Sequence, residues 1–365
     1  MNKAKKITVG IILALVALIL AFTLVTYIIH MVKTHKELDA LSENGLYNPV
    51  SVGDYSLNVA KFGNENGKHT IVAMAGLGMG DCSVTMRQMT KCLENDNLIV
   101  FVDRAGYGLS GDTKNEMTLE YIVEDYRKAL KNAGIEGPYI LMPHSIGGAY
   151  ATYWCSKYPE EIEAVVFVDG SQLSSTAFDE DDEEYKSTWL DRILTGFANL
   201  GFGRYVLRNY SYEYPDNYSK EEQYLGDALA LKTLNSTATL SEGDLMVENA
   251  QKAFNTVITN NVPKLYICAS WGFETGDDFV EYTKWINRQK EKNNLGEPMN
   301  ENPDNEVVNK VLQQCEESRQ SILIPYLEKM GNCQLVCLGG DHMIYQQKPT
   351  ECGNIIKSFV DGLDN

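Results

Sequence analysis

Basic side chains, histidines and closely spaced cysteines are all scarce in this sequence. Lys and Arg together number 32 against 50 Asp and Glu, which gives a net charge of −18. Such an excess of acidic groups argues against a groove for nucleic acid and against electrostatic docking on anionic lipid. The 5 histidines are scattered along the chain without the spacing of metal ligands. We therefore expect no nucleic-acid partner and no metal site.

The 8 cysteines include no C-x-x-C pair. Cys333 and Cys337 share a predicted strand and would lie about 13 Å apart on it, whereas a disulfide requires Cα atoms within about 7 Å. Free, buried thiols are therefore a better expectation than a disulfide framework or a redox motif.

A long apolar run lies near the N-terminus. Residues 7–29 carry no charged side chain and are dominated by Ile, Leu, Val and Ala. As a helix this run would be about 34 Å long, enough to cross a bilayer. A cleaved signal peptide is the alternative, but the run exceeds a typical h-region and no clear A-x-A site follows it. We predict a single-pass anchor within residues 1–36. Lysines on both sides of the run favour a cytoplasmic N-terminus modestly, which would place the rest of the chain outside the cytoplasm.

Beyond the anchor, continuous apolar runs alternate with helix-length segments. Residues 55–62 alternate like an edge strand. Runs that predict strands buried on both faces are residues 70–74, 98–102, 139–142, 164–168, 265–267 and 334–338. The clearest helical segments are residues 118–133, 146–157 and 350–360. This alternation predicts an α/β fold, with a mostly parallel sheet flanked by helices.

Two insertions interrupt the alternation. Residues 171–262 contain no strand run and predict a helical lid, which divides the core into residues 37–170 and 263–365. Within the lid, the pairs Ser219 and Glu222, and Thr239 and Glu242, have the spacing of capping boxes. The second insertion, about residues 275–304, contains N-N-L-G-E-P and N-E-N-P-D and is predicted to be a polar loop.

The stretch Y-I-L-M-P-H-S-I-G-G-A at residues 139–149 has the pattern of a nucleophile elbow. An apolar strand runs into Ser145, and Gly147 and Gly148 follow where the helix must approach the strand closely. Pro143 stands where G-x-S-x-G has its first glycine, so the turn must accommodate a proline ring. Ser145 is therefore the candidate nucleophile.

A serine nucleophile needs a base and a site for negative charge. His30 and His35 lie beside the membrane run, His69 opens a strand and His144 adjoins the nucleophile, so His342, in G-G-D-H after the last strand, is the candidate base. The glycine-rich loop A-G-L-G-M-G at residues 75–80 allows a close backbone approach. The N–H groups of Leu77 and Ile146 are candidates for an oxyanion hole.

Four motifs occur in the order A-G-L-G, D-R-A-G-Y-G-L-S, P-H-S-I-G-G and G-D-H. Together they resemble the α/β-hydrolase fold superfamily over about residues 50–362. The resemblance implies a triad in the chain order Ser, acid, His, with an oxyanion hole after an early strand and no metal or organic cofactor. We interpret the second motif, which includes Asp103 and Arg104, as a structural turn beside the site.

The triad acid is open at this stage. Many relatives place it just beyond the strand that corresponds to residues 265–269, and the nearest carboxylates here are Glu274, Asp277 and Asp278. Other relatives place it at the end of the preceding strand, where Asp169 stands in V-D-G. Either position can orient the second nitrogen of His342. We favour Asp169, although an aspartate in this context is also common as a turn residue.

These features predict a membrane-anchored serine hydrolase that cleaves an ester, with lipid or other acyl esters as substrates. The lid contains aromatic side chains that favour an apolar acyl group over a charged ligand, namely Trp189, Phe197, Phe202, Tyr205, Tyr210 and Tyr214. The alternatives are an amide hydrolase resembling proline iminopeptidases and a hydrolase-shaped binding protein without activity.

Overall fold

The structure, a computed structural model, describes residues 3–174, 186–205, 214–233, 236–293 and 295–364. Tyr210 of the predicted lid lies outside the described residues. An eight-stranded sheet with the order β1-β2-β4-β3-β5-β6-β7-β8 forms the centre of the molecule. The strands are β1 (Pro49–Ser51), β2 (Ser56–Gly63), β3 (Thr70–Met74), β4 (Leu98–Val102), β5 (Tyr139–Ser145), β6 (Ile162–Gly170), β7 (Lys264–Cys268) and β8 (Cys333–Cys337).

Strands β3 to β8 are parallel to one another, and β1 and β2 form an antiparallel margin beside β4. The predicted α/β fold class is confirmed. The prediction of β2 as the edge strand was wrong, because β1 pairs outside it. A strand of three residues is too short to leave a recognisable apolar pattern. The strand order reverses beside β3, where β4 lies on one side and β5 on the other. In open α/β sheets, ligands bind at the carboxyl ends of the strands near such a reversal.

Fourteen α-helices within the described residues are labelled α1 to α14. Their bounds are α1 (Lys3–Glu43), α2 (Cys82–Thr85), α3 (Arg87–Thr90), α4 (Leu119–Asn132), α5 (Gly147–Lys157), α6 (Trp189–Phe197), α7 (Lys220–Thr233), α8 (Thr237–Asp244), α9 (Met246–Asn255), α10 (Gly276–Asn293), α11 (Asn305–Ser318), α12 (Ile324–Met330), α13 (Ile344–Gln347) and α14 (Pro349–Asp361).

Both faces of the sheet are buried because alternate strand residues point to opposite sides. One face contributes Val72, Val100, Leu141 and Val165 to a core with Tyr126 and Trp154 of α4 and α5. The other face contributes Ile71, Ile99, Ile140 and Val166 to a core with Ile356 of α14. The strand sequences are therefore continuous apolar runs. The loops that follow the carboxyl ends of the strands are anchored on this packed sheet.

The described residues of the lid are helical, with α6, α7, α8 and α9 and no strand among them. The capping box of Ser219 and Glu222 is confirmed, because each side chain accepts a hydrogen bond from the other residue's N–H. The prediction of a capping box at Thr239 and Glu242 was wrong. Ser236 begins that helix, since its hydroxyl accepts from the N–H of Thr239 at 3.1 Å. Glu242 lies inside α8 and is fully buried.

The prediction of a polar loop over residues 275–304 was wrong for its first part, because α10 occupies 18 residues of it. Thr275 and Asp278 cap the helix reciprocally. Phe279 and Tyr282 then pack on the ring of Phe273, with ring centroids 5.8 and 5.5 Å away. Aromatic burial outweighs the high charge of this helix, and only residues 295–304 are irregular.

Helix α1 is long and apolar enough to span a membrane, a property that it shares with signal sequences. It continues to Glu43, so the predicted anchor boundary at residue 36 falls inside one continuous helix. Leu41 near its end is buried against the core that includes Ile71 and Ile99. The eight cysteines are free thiols, and five of them are buried.

Candidate active site

Ser145 lies at the sharp turn between β5 and α5. Its φ is 52°, in the left-handed region that non-glycine residues seldom adopt. Among the described non-glycine residues, only Asp169 (φ 43°) and Asn332 (φ 44°) also have a positive φ. Such strain costs about 1–3 kcal/mol per residue and persists where the surroundings enforce it, which is common at functional sites. Two of the three strained residues are candidate catalytic residues from the sequence.

The turn is possible because small residues follow the serine. A Cβ atom on Gly147 would lie 2.8 Å from the carbonyl oxygen of Met74, and one on Gly148 would lie 3.0 Å from the nitrogen of Ser171. Pro143 belongs to β5 and pairs with Met74 at the end of β3. The proline is therefore accommodated within the strand, before the turn begins.

His342 and Asp169 are joined by a short hydrogen bond. His342 Nδ1 lies 2.7 Å from Asp169 Oδ2. Asp169, at the end of β6, is fully buried, whereas the His342 side chain is 48% exposed. Asp169 is held in place by three donors after β7, namely the N–H groups of Ala269 (2.8 Å) and Ser270 (3.1 Å) and the Ser270 hydroxyl (2.6 Å). These three donors fix the position of the carboxylate, which in turn fixes the orientation of its histidine partner.

The charge of Asp169 sets the protonation of His342. Partial burial lowers the pKa of His342, but the hydrogen bond and the negative charge of Asp169 outweigh it, so the pKa lies above its usual 6.5. The imidazole is therefore a stronger base than a free histidine.

His144 contacts the loop that carries His342. Its Nε2 lies 3.0 Å from the carbonyl oxygen of His342, and the two rings are 4.6 Å apart. Burial lowers the pKa of His144 to about 3. A neutral His144 donates a hydrogen bond from Nε2 to this carbonyl oxygen. Because His144 directly precedes Ser145, the bond connects the His342 loop to the serine turn. The sequence assigned no role to His144, and its contact with a loop 198 residues away left no local signal.

The glycine-rich loop after β3 lies against the serine. A Cβ atom on Gly76 would lie 3.1 Å from Ser145 Cβ and 2.9 Å from His144 Nδ1. Arg104 holds this loop by donating to the carbonyl oxygens of Ala75 (2.6 Å) and Gly76 (2.9 Å). Leu77 follows directly in the same loop, and Ile146 is the N-cap of α5. Both candidate oxyanion donors thus belong to segments that border Ser145.

Arg104 is itself paired with the lid. Its guanidinium lies 3.0 Å from Glu242 Oε1 of α8, with exposed side-chain fractions of 1% and 0%. Tyr150 of α5 donates its hydroxyl to the same carboxylate at 2.6 Å. This buried network joins the lid, the glycine-rich loop and the helix that follows Ser145. The structural interpretation of Arg104 from the sequence missed its partner, because Glu242 was taken for a capping residue.

The other candidate acids lie elsewhere. Asp277 and Asp278 belong to the first turn of α10, where Asp278 caps Thr275. Glu274 lies near Cys337. Burial raises the pKa of the Cys337 thiol to about 11, and the charge of Glu274 contributes to this rise. Asp341 accepts from the N–H of Met343 at 2.8 Å. Among the candidate carboxylates, Asp169 is the one that is hydrogen-bonded to His342 Nδ1.

The order of strands, the strained serine turn and the hydrogen-bonded His–Asp pair agree with a family match. The family model described as "alpha/beta hydrolase fold" matches residues 76–293. The chain belongs to the alpha/beta hydrolase fold family. The resemblance inferred from the motifs is thereby confirmed.

Among relatives of this hydrolase is the uncharacterized protein YbdG of Bacillus subtilis (strain 168), which is 34% identical over 197 residues. The match covers 53% of this chain and 58% of YbdG, so the hydrolase spans little more than half of that relative. The name of this relative states no activity.

Solved structures share the fold of this hydrolase at low sequence identity. A lipase candidate (lip1) from Acinetobacter baumannii AYE has a TM-score of 0.54 at 16% identity and covers 90% of this chain and 96% of its own. A membrane phospholipase A, described as a bacterial virulence factor, has a TM-score of 0.53 at 16% identity and covers 99% of both chains. At these identities the likeness shows the fold alone.

The hydrolase should lose activity as the pH falls through the raised pKa of His342. The imidazole can accept a proton only when neutral, so kcat/KM is expected to rise with pH through an inflection above 6.5. The Asp169→Asn variant removes the charge that raises this pKa, and its residual activity should show the inflection at lower pH. A pH profile with a soluble activated ester measures both. An unchanged inflection in the variant would contradict the assignment of the pKa shift to Asp169.

Proposed function

We propose that this chain is a membrane-anchored serine hydrolase that cleaves esters of apolar acyl groups. The observation that carries the proposal is the short hydrogen bond between His342 and Asp169, which lies beside the strained turn that presents Ser145. Asp169 is buried and accepts three further hydrogen bonds. A nucleophile, a base and an orienting acid in this arrangement are the requirements of acyl transfer.

In the proposed reaction, Ser145 Oγ attacks the ester carbonyl carbon while His342 Nε2 takes the hydroxyl proton. Asp169 keeps the other imidazole proton on Nδ1 and stabilises the imidazolium that forms. Collapse of the tetrahedral intermediate breaks the bond to the alcohol, which leaves with the proton from His342. A water molecule then attacks the acyl-enzyme through the same base, and the carboxylic acid and free Ser145 are released.

The negative charge of the tetrahedral intermediate falls on the former carbonyl oxygen. We assign its stabilisation to the N–H groups of Leu77 and Ile146. Ile146 stands at the start of α5, where the helix dipole favours negative charge. The hydrogen bonds from Arg104 to Ala75 and Gly76 fix the loop that carries Leu77, so this donor would be oriented before substrate binds.

An apolar acyl substrate is supported by the lid and by the anchor. Aromatic side chains of the described lid include Trp189, Phe197, Phe202, Tyr205 and Tyr214. A helix able to span a membrane would hold the site close to lipid esters. The structural neighbours described as a lipase candidate and a membrane phospholipase A agree with this substrate class. The same site can attack an amide, so ester preference is part of what must be tested.

Labelling with a fluorophosphonate probe tests the proposal directly. The wild type should react at Ser145, and Ser145→Ala should remove the labelling because Ser145 is the hydroxyl that His342 activates in the proposed reaction. His342→Ala should slow labelling strongly while leaving the serine in place. Ser171→Ala, which alters a nearby hydroxyl outside the proposed triad, is the matched control and should label normally. A folded wild type that never labels would favour the binding-protein alternative. Faster turnover of matched amides than of esters would favour the peptidase alternative.

A further inference from the structure

Helix α6 of the lid exposes a stripe of large apolar side chains. Those exposed in the described structure are Trp189, Leu190, Ile193, Leu194 and Phe197. At 100° per residue they fall within about 140° of the helix circumference, with Arg192 and Thr195 on the other side. Trp189 is 74% exposed. An amphipathic helix with an uncovered apolar face marks an interaction surface.

The residues that follow this helix, 198–202, pack on the apolar part of α1. The ring of Phe202 lies 6.1 Å from that of Phe22, and the ring of Phe197 lies 5.8 Å from that of Phe202. Gly201 lets the two backbones approach, because a Cβ atom there would lie 2.7 Å from His30 Cβ. The apolar stripe of α6 is therefore continuous with the helix that is proposed to cross the membrane.

The contacts also give the depth of this part of the lid. Phe22 precedes the end of the apolar run at Ile29 by about 10 Å along the helix axis. Phe202, in contact with Phe22, therefore lies level with the hydrocarbon of a bilayer that α1 crosses. Arg204 extends the other way and bonds bidentately with Glu37 at 2.6 and 2.7 Å, beyond the end of the run. The segment from Phe202 to Arg204 therefore runs from the level of the hydrocarbon to beyond the end of the apolar run, where Arg204 and Glu37 form a largely buried ion pair.

We propose that α6 and Phe202 are inserted into the leaflet of the membrane that α1 crosses, with Trp189 at the lipid interface. The inference rests on the proposed membrane anchoring and adds a second point of contact, made by the lid itself. Because the chain is strongly acidic, the attraction is apolar, and zwitterionic lipid suffices.

This placement specifies where substrate enters. The lid that carries α6 also carries Glu242, which is paired to Arg104 beside Ser145. An acyl ester dissolved in the bilayer would then reach the site beneath the lid without crossing water. The proposed substrate class narrows accordingly to esters resident in the membrane.

Tryptophan quenching in vesicles tests the insertion. The chain has 4 tryptophans, and Trp189 is the one in α6. The full-length protein is reconstituted in phosphatidylcholine vesicles, its co-flotation with them is verified, and lipids brominated in the upper acyl chain are introduced as quenchers. Wild type and the control Trp285→Phe, altered in α10, should be quenched strongly. Trp189→Phe should lose most of that quenching, and iodide in the water should barely quench Trp189.

The outcomes separate the two proposals. Flotation with equal bromolipid quenching of wild type and Trp189→Phe would overturn the insertion of α6 while leaving the anchor intact. Quenching of Trp189 by iodide would do the same. Shielding of Trp189 from both quenchers would overturn it in favour of a second copy of the chain as the occupant. A protein that fails to float at all would overturn the anchor and, with it, the insertion.

Discussion

The Asp169→Asn variant should lose about 10⁴-fold in kcat on a soluble ester, the loss expected when the acid of such a triad becomes an amide. Asparagine has nearly the shape of aspartate, but it cannot hold His342 in the tautomer with a proton on Nδ1 and cannot stabilise the imidazolium. Steady-state kinetics measure the loss in kcat, and thermal unfolding shows whether the variant is folded.

The matched control for this prediction is Asp277→Asn. Asp277 is the same residue type at the start of α10, where the sequence also allowed the acid to lie. It should retain wild-type kcat, because Asp169 and not Asp277 bonds to His342. Full activity of Asp169→Asn, or a severe loss in Asp277→Asn, would move the acid to the other position.

The Glu242→Gln variant should reduce the free energy of unfolding by about 3–5 kcal/mol, the usual cost of removing one partner from a buried ion pair. The substitution leaves the Arg104 guanidinium buried with no counter-ion, and the desolvation of that charge is no longer offset. Urea denaturation monitored by circular dichroism measures the change. Because Arg104 also fixes the glycine-rich loop, kcat should fall together with stability.

An exposed pair provides the control for this second prediction. Lys61 and Glu65 lie 2.8 Å apart, but the Glu65 side chain is 67% exposed. Glu65→Gln should cost less than about 1 kcal/mol, because water screens the pair. The double variant Arg104→Met with Glu242→Leu should regain much of the stability, since no buried charge remains, yet stay slow because the carbonyls of Ala75 and Gly76 lose their donor. Equal costs for Glu242→Gln and Glu65→Gln would contradict the role of the buried pair.

The central strands could be predicted closely because each is buried on both faces. The runs at residues 70–74 and 98–102 match β3 and β4 to the residue. Helix α4 also follows its signals, with Thr118 as the N-cap that accepts from the N–H of Tyr121. These elements are encoded by neighbouring residues, which is the range over which periodicity and capping act.

Errors arose where a long-range contact gave a residue a different role. Glu242 had the spacing of a capping residue, but its carboxylate bonds to Arg104, 138 positions away. The start of the second insertion appeared polar, but Phe273 provides the aromatic surface on which α10 packs. The edge strand β1 was missed because three residues carry too little pattern.

By itself, the sequence determined the fold family, the apolar N-terminal helix and the candidates Ser145 and His342. The helix is encoded by one long apolar run, and the other features by short motifs at the ends of strands. Only the tertiary structure decided which carboxylate reaches His342, how Arg104 joins the lid to the glycine-rich loop, and that the residues after α6 pack beside the apolar helix. His342 and Asp169 are 173 positions apart, and residues so distant are brought together by the packing of the whole sheet and not by any local pattern.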